Sequence, residues 1–166
     1  QEIMRPYVPL GILYISAYLE QNKKDHEVFD STFYSFNDLK EKIETYRPDC
    51  IAAYVNLMTR INVLKLIKWV KTTEHLKHTK LILGGPEVTH HAEDLLKYGA
   101  DIICVGEGEQ TIFDVYSHFE NSNTIPEHIE GTLFLREGVL VKNAEKKLLK
   151  NINVIPAKKK KKIDLN

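Results

Sequence analysis

Three short apolar runs, "CIAAYVN" at 50–56, "KLILGG" at 80–85 and "DIICVG" at 101–106, each lead through a brief turn into a stretch of helical periodicity. A run that is apolar almost throughout reads as a strand buried on both faces. Strands separated by helices pair parallel, with right-handed crossovers. Ile61, Leu64, Ile67 and Val70 mark a helix over 60–75, and further helices are expected over about 89–98 and 109–120. The alternation predicts an α/β fold of the flavodoxin-like, doubly wound class, with helices on both sides of a parallel sheet.

Upstream, residues 9–23 read as a helix whose wide apolar face follows a proline. Its run "LGILYISAYL" at 10–19 is about half of what a membrane span requires. "HEVFD" at 26–30 reads as a short strand, and 35–46 as a helix capped by Ser35 or Asn37 that stops ahead of Arg47-Pro48. A helical start is unusual, because such folds normally open with a central strand. Downstream, "EGTLFLREGVLVKN" holds two strand patterns around Arg136-Glu137-Gly138, a hairpin on the sheet. Residues 1–143 are expected to form one domain and 144–166, with Lys158 to Lys162, a solvated linker.

The 23 basic residues cancel 23 acidic ones, so no overall field points to nucleic acid or an anionic membrane. Cys50 and Cys104 sit inside apolar runs, as packing thiols do, and suit a reducing cytoplasm.

Ligands of open parallel sheets bind beyond the carboxyl ends of the strands. "VNLMTR", "GGPEVT" and "GEGE" lie at three such ends. Gly84 and Gly85 remove side chains there, either to admit a bulky planar or nucleotide group or to relieve crowding between strand and helix. Gly106 and Gly108 flank Glu107, and Glu109 opens a helix; two carboxylates would repel a polyphosphate, and the lysine of a P-loop is absent. The carboxylates suit hydroxyls, amide N–H groups or cations, and Glu109 is equally explained as a favourable charge at a helix N-terminus. His90 and His91 are adjacent, about 100° apart on a helix, and read as surface or capping residues rather than metal ligands. His26 reads as a strand-entry residue, and His75 and His78 as exposed, with no evident carboxylate partner. No nucleophile has a local base, so this segment by itself is expected to be non-catalytic.

"VPLGILYISAYLE", "HEVFD", "RPDCIAAYV", "LILGGPEVT" and "ADIICVGEGEQTIFDV" together resemble the N-terminal cobalamin-binding domain of cobalamin-dependent radical S-adenosylmethionine enzymes, over residues 2 to about 120. The resemblance implies a flavodoxin-like fold cradling cobalamin, a strand ahead of Gln1, and a following radical barrel with an iron–sulfur site and S-adenosylmethionine. The parent would be a methyltransferase or a relative of the anaerobic magnesium-protoporphyrin cyclases. By matched position, Gly84, Gly85, Pro86 and Glu87 would approach the nucleotide tail, with Asn56 and Leu57 lining the same cavity. Gly106, Glu107, Gly108 and Glu109 would close its rim, and Leu10 and Gly11 would face the corrin. The family's D-x-H-x-x-G pattern is not met, since Asp25 and His26 are adjacent, so cobalamin would be held without a protein histidine on cobalt. Tyr54-Val55-Asn56 stands where a small serine is common. The alternative is a docking domain that no longer binds cobalamin, and an unfilled sheet slot would promote pairing between chains. A receiver- or flavin-binding module is disfavoured: paired acidic residues and aromatic flavin-clamping loops are not evident.

Overall fold

The structure, a computed structural model, describes residues 10–32 and 34–145. In chain order the elements are α1 (Leu10–Gln21), α2 (Phe36–Tyr46), β1 (Cys50–Tyr54), α3 (Arg60–Thr72), β2 (Lys80–Gly84), α4 (Ala92–Tyr98), β3 (Ile102–Cys104), α5 (Gly108–Phe119), β4 (Thr132–Arg136) and β5 (Val139–Lys142). The strands form one five-stranded sheet in sequential order, β1 to β3 parallel and β4 and β5 antiparallel. The expected linker lies outside the described residues except for Ala144, whose carbonyl still accepts from Gly131 N at 2.8 Å, and Glu145.

Alternation along the strands divides the core in two, as period-two side chains must. Leu81, Leu83, Ile103 and Leu133 face α2, α3 and α4, while Ile82, Ile102, Cys104 and Phe134 face α5 and, through Ile15, α1. Helices therefore cover both faces, as the strand–helix alternation predicts.

Local chemistry fixes the element ends. Ser35 caps α2 in a reciprocal box: its hydroxyl accepts from Asp38 N at 3.2 Å, and the Asp38 carboxylate accepts from Ser35 N at 2.6 Å. The Ser35 hydroxyl also donates to the Asp38 carboxylate at 2.6 Å, and that bond first, then the one from Ser35 N, holds the Asp38 pKa below its ordinary value. Arg47, at φ 49°, closes the helix ahead of Pro48. Glu137 and Gly138, both at positive φ, form the two-residue turn that joins β4 to β5, with Arg136 already in the ladder opposite Val139.

Two expectations are corrected. Residues 26–30 form no strand: the segment has no ladder partner among the described residues and is pinned by side chains instead. In the neutral ring, His26 Nδ1–H donates to the Lys24 carbonyl at 2.9 Å, and Nε2 accepts from the Ser16 hydroxyl at 2.7 Å. His26 is thus a pin between this segment and α1, not a strand-entry residue. Secondly, β1 is buried on one face only. Among the described residues it pairs with β2 alone, and Ala52 and Tyr54, on the side that α5 covers at β2 and β3, remain exposed.

At the amino ends of β2 and β3, Asp101 Oδ2 accepts from Lys71 Nζ at 2.8 Å and from Leu81 N at 2.7 Å, and Lys71 also donates to the Thr79 carbonyl at 3.0 Å. The carboxylate thereby ties α3 to two strands. Asp101→Ala leaves a half-buried ammonium and a strand N–H without their acceptor, and should lower unfolding free energy by roughly 2 kcal/mol in urea titrations.

Candidate functional site

The loops that follow β1, β2 and β3 emerge side by side at the carboxyl end of the parallel strands. Tyr54 lies opposite Gly84 in the ladder, and the loops of β1 and β3 stand about 10 Å apart across β2.

The loop after β1 is built by Asn56 and Thr59. Asn56 Oδ1 accepts from Met58 N and Thr59 N, each at 2.9 Å, while the Thr59 hydroxyl accepts from Asn56 N at 2.9 Å and donates to the Tyr54 carbonyl at 2.9 Å. This turn delivers the chain into α3 and pushes its two middle residues outward, leaving Leu57 73% and Met58 87% exposed. Asn56 is therefore occupied in shaping the loop, whereas Leu57 presents apolar surface.

The glycines separate into distinct roles. At Gly85, φ 113°, an added Cβ would sit 2.4 Å from Val55 O and 2.9 Å from Val55 N. What approaches Gly85 is the neighbouring loop's backbone, which is stitched across by Val55 N donating to Gly84 O at 2.7 Å and Glu87 N donating to Val55 O at 3.3 Å. Gly108 makes room for Ile15 of α1, whose Cδ1 would lie 3.3 Å from a Cβ there. A Cβ on Gly84 would be in ordinary contact with Cys104 O, while one on Gly106, at φ 85°, or on Gly11 would meet nothing among the described residues. Pro86 is exposed. Gly85→Ala should therefore lower the thermal midpoint by several degrees, by forcing the two loops apart, whether or not ligand is present.

Leu10 is exposed at the start of α1, and α1 reaches the rim by packing on α5: Tyr18 bonds Gln110, whose amide donates to Asp114 at 2.7 Å, and the Tyr18 and Phe113 rings meet edge to face at 5.7 Å. Burial, and then Asp114, raise the Tyr18 pKa. Glu107 caps α5 through its backbone only, and Glu109 falls in the helix's first turn, where its charge is favourable.

Two partnerships at long sequence separation escape sequence reading. Arg60 Nη1 donates to His91 Nε2 at 3.0 Å across the loops of β1 and β2. His75, expected to lack a carboxylate, meets Glu44 at 2.6 Å. The pattern N-x-x-T at 56–59 was the signal available for the β1 loop.

A separate cavity of about 480 Å³ opens at the amino ends of β1 and β2, beside Cys50, Lys80, Tyr116 and Phe119. Burial first, and then Asp49 and Asp101, push the Cys50 thiol up to about 12. The thiol is neutral in both states below about pH 8.5. Above that the unfolded chain ionises first, so stability should decline as pH rises from about 8.5 towards 12. Chemical denaturation across that range should show a shallower decline for Cys50→Ala.

The sequence model of the B12 binding domain family matches residues 3–115, a span that contains all three strand-end loops. The chain belongs to the B12-binding domain family. Among solved structures it is similar to the cobalamin-dependent S-adenosylmethionine radical enzyme OxsB with aqua-cobalamin and S-adenosylmethionine bound, at TM-score 0.74 and 20% identity, covering 86% of this chain and 20% of that one. It is also similar to the radical S-adenosylmethionine methyltransferase TsrM from Kitasatospora setae, solved with tryptophan and a S-adenosylmethionine analogue, at TM-score 0.72 and 16% identity, covering 87% of this chain and 28% of that one. This B12-binding domain thus spans less than a third of the length of either structure. A search of curated proteins finds no match. Among the described residues no helix is long and apolar enough to cross a membrane.

Proposed function

We propose that this chain is the cobalamin-binding domain of a radical S-adenosylmethionine enzyme, a methyltransferase or an oxidative cyclase, and that it holds cobalamin over the carboxyl ends of β1, β2 and β3. The observation that carries the reading is the surface the three loops leave uncovered. Leu57 and Met58 stand out from the β1 loop, and Gly106 leaves room on the β3 loop where a Cβ would meet nothing. An apolar ledge beside an uncrowded glycine rim suits a large, flat, mostly uncharged ligand better than a polyphosphate, which Glu107 and Glu109 would repel.

The residues fit such a ligand in a particular way. Leu57 supplies apolar contact, Gly106, Glu107 and Glu109 border the rim, and Leu10 and Gly11 approach from α1, while Gly85 and Asn56 act one step back by setting the loops. No histidine is offered from His26, whose two ring nitrogens are both engaged, or from His91 Nε2, which accepts from Arg60. Cobalamin would supply organometallic chemistry to the parent enzyme; this chain's contribution is to bind it and orient its face. Residues 144–166 would then lead towards the radical barrel.

The second reading, a docking domain without cobalamin, is favoured by Tyr54, whose ring remains exposed at the strand end beside Gly84 and narrows the crevice. Gel filtration after incubation with hydroxocobalamin separates the two. The cobalamin reading expects a protein-bound visible spectrum that Leu57→Asp removes while leaving the thermal midpoint unchanged. Protein that emerges colourless, and stays so in Tyr54→Ser, supports the docking reading.

A further inference from the structure

Two charged side chains at the rim are left half-satisfied. Glu87 is only 19% exposed, yet its carboxylate accepts no hydrogen bond from the described residues: Arg60 Nη1 lies 4.0 Å and His91 Nε2 3.8 Å from Oε2. His91 cannot fill the gap, because its Nε2 accepts from Arg60 and therefore carries no proton to give. Arg60 in turn is held by that one bond at 3.0 Å, and its side chain, 39% exposed, gives its other N–H groups no acceptor among the described residues. The carboxylate is still reached by water, yet the two nitrogen groups beside it stand just beyond hydrogen-bond distance, so a ligand donor entering there would gain a bond that the fold leaves to solvent.

The missing partner must offer an acceptor to the guanidinium and a donor to the carboxylate from adjacent atoms. A phosphate would satisfy Arg60 and be repelled by Glu87; an ammonium group would do the reverse. A primary carboxamide meets both demands with no net charge. Cobalamin carries primary carboxamides around its corrin, and Arg60 and Glu87 project from the loops of β1 and β2 over which the corrin would lie. We propose that the Arg60–Glu87 pair binds one peripheral carboxamide of the corrin. Its carbonyl accepts from Arg60, its NH₂ donates to Glu87, and His91 holds the guanidinium in place. This deepens, and rests on, the cobalamin reading above.

The test is a visible-absorbance titration of the full chain with hydroxocobalamin and with its monocarboxylic acids, in each of which one carboxamide has become a carboxylate. Against one of these acids the unmodified protein should bind roughly tenfold more weakly than against cobalamin, because the new charge faces Glu87. Glu87→Gln should remove most of that difference, and Arg60→Ala should weaken cobalamin itself by a similar factor at an unchanged thermal midpoint. Equal binding of cobalamin and all the acids by the unmodified protein overturns the assignment, and that comparison requires no variant to fold. So does discrimination that persists undiminished in a folded Glu87→Gln. If cobalamin itself is not retained, the cobalamin reading fails and takes this one with it; if it is retained without discrimination, only the Arg60–Glu87 assignment fails.

Discussion

The contact between Gly85 and the backbone of Val55 governs the carboxyl end of the sheet. With the Cβ position 2.4 Å from a carbonyl oxygen, no side chain can stand there, and only a residue without one tolerates φ 113° at so close an approach. The two loops are consequently locked edge to edge. Val55 is fully buried between them, and the hydrogen bonds to Gly84 and from Glu87 fix how far each loop advances past its strand. Consistent with that lock are the Asn56 turn, the outward aim of Leu57 and Met58, and the meeting of Arg60 at the start of α3 with His91 ahead of α4. The rim is therefore preorganised by backbone contacts and by the Asn56–Thr59 turn, not by its exposed side chains.

The opposite end of the strands is fixed by different chemistry. There the Asp101 carboxylate gathers a lysine and a strand N–H at one point, so that register and helix position are set together. Between these two ends β2 and β3 are sealed on both faces, and the strongly apolar Leu81–Leu83 and Ile102–Ile103 provide the rigid floor. That seal ends at β1. Among the described residues its only ladder partner is β2, and Ala52 and Tyr54 remain exposed on the α1 and α5 side.

How much of this was legible depended on range. The strands at 80–84 and 102–104, the helices that follow them and the hairpin turn at Glu137-Gly138 are encoded within a few residues, by apolar runs, glycines and caps, and the sequence pattern placed them closely. "HEVFD" carried the same local signal, but a strand exists only where a neighbour supplies its hydrogen bonds, and no propensity encodes that. "CIAAYVN" failed more narrowly: its apolar composition is right for a strand, while its exposure is set by what lies beside it. The glycines show the same limit at the site. Sequence marked Gly84 and Gly85 as a point of close approach or crowding and Gly106 and Gly108 as a turn into a helix, but whether Val55, Ile15 or empty space lies opposite Gly85, Gly108 or Gly106 is a property of the packed molecule.

That distinction sharpens what the glycine-rich rim means. A glycine whose missing side chain is already filled by the protein's own backbone has its role accounted for without any ligand, so the Gly84-Gly85 pair is weaker testimony to binding than its motif implies. The residues that do remain unexplained by internal packing are of another kind: an apolar ledge at Leu57 and Met58, a glycine at 106 with nothing against it among the described residues, and a carboxylate at Glu87 that accepts no hydrogen bond from them. Folding free energy alone favours none of these, since burying the ledge or pairing the carboxylate would be more stable. Their coincidence at one end of one parallel sheet, within the span shared with the B12-binding family, is what a surface completed by its ligand should look like.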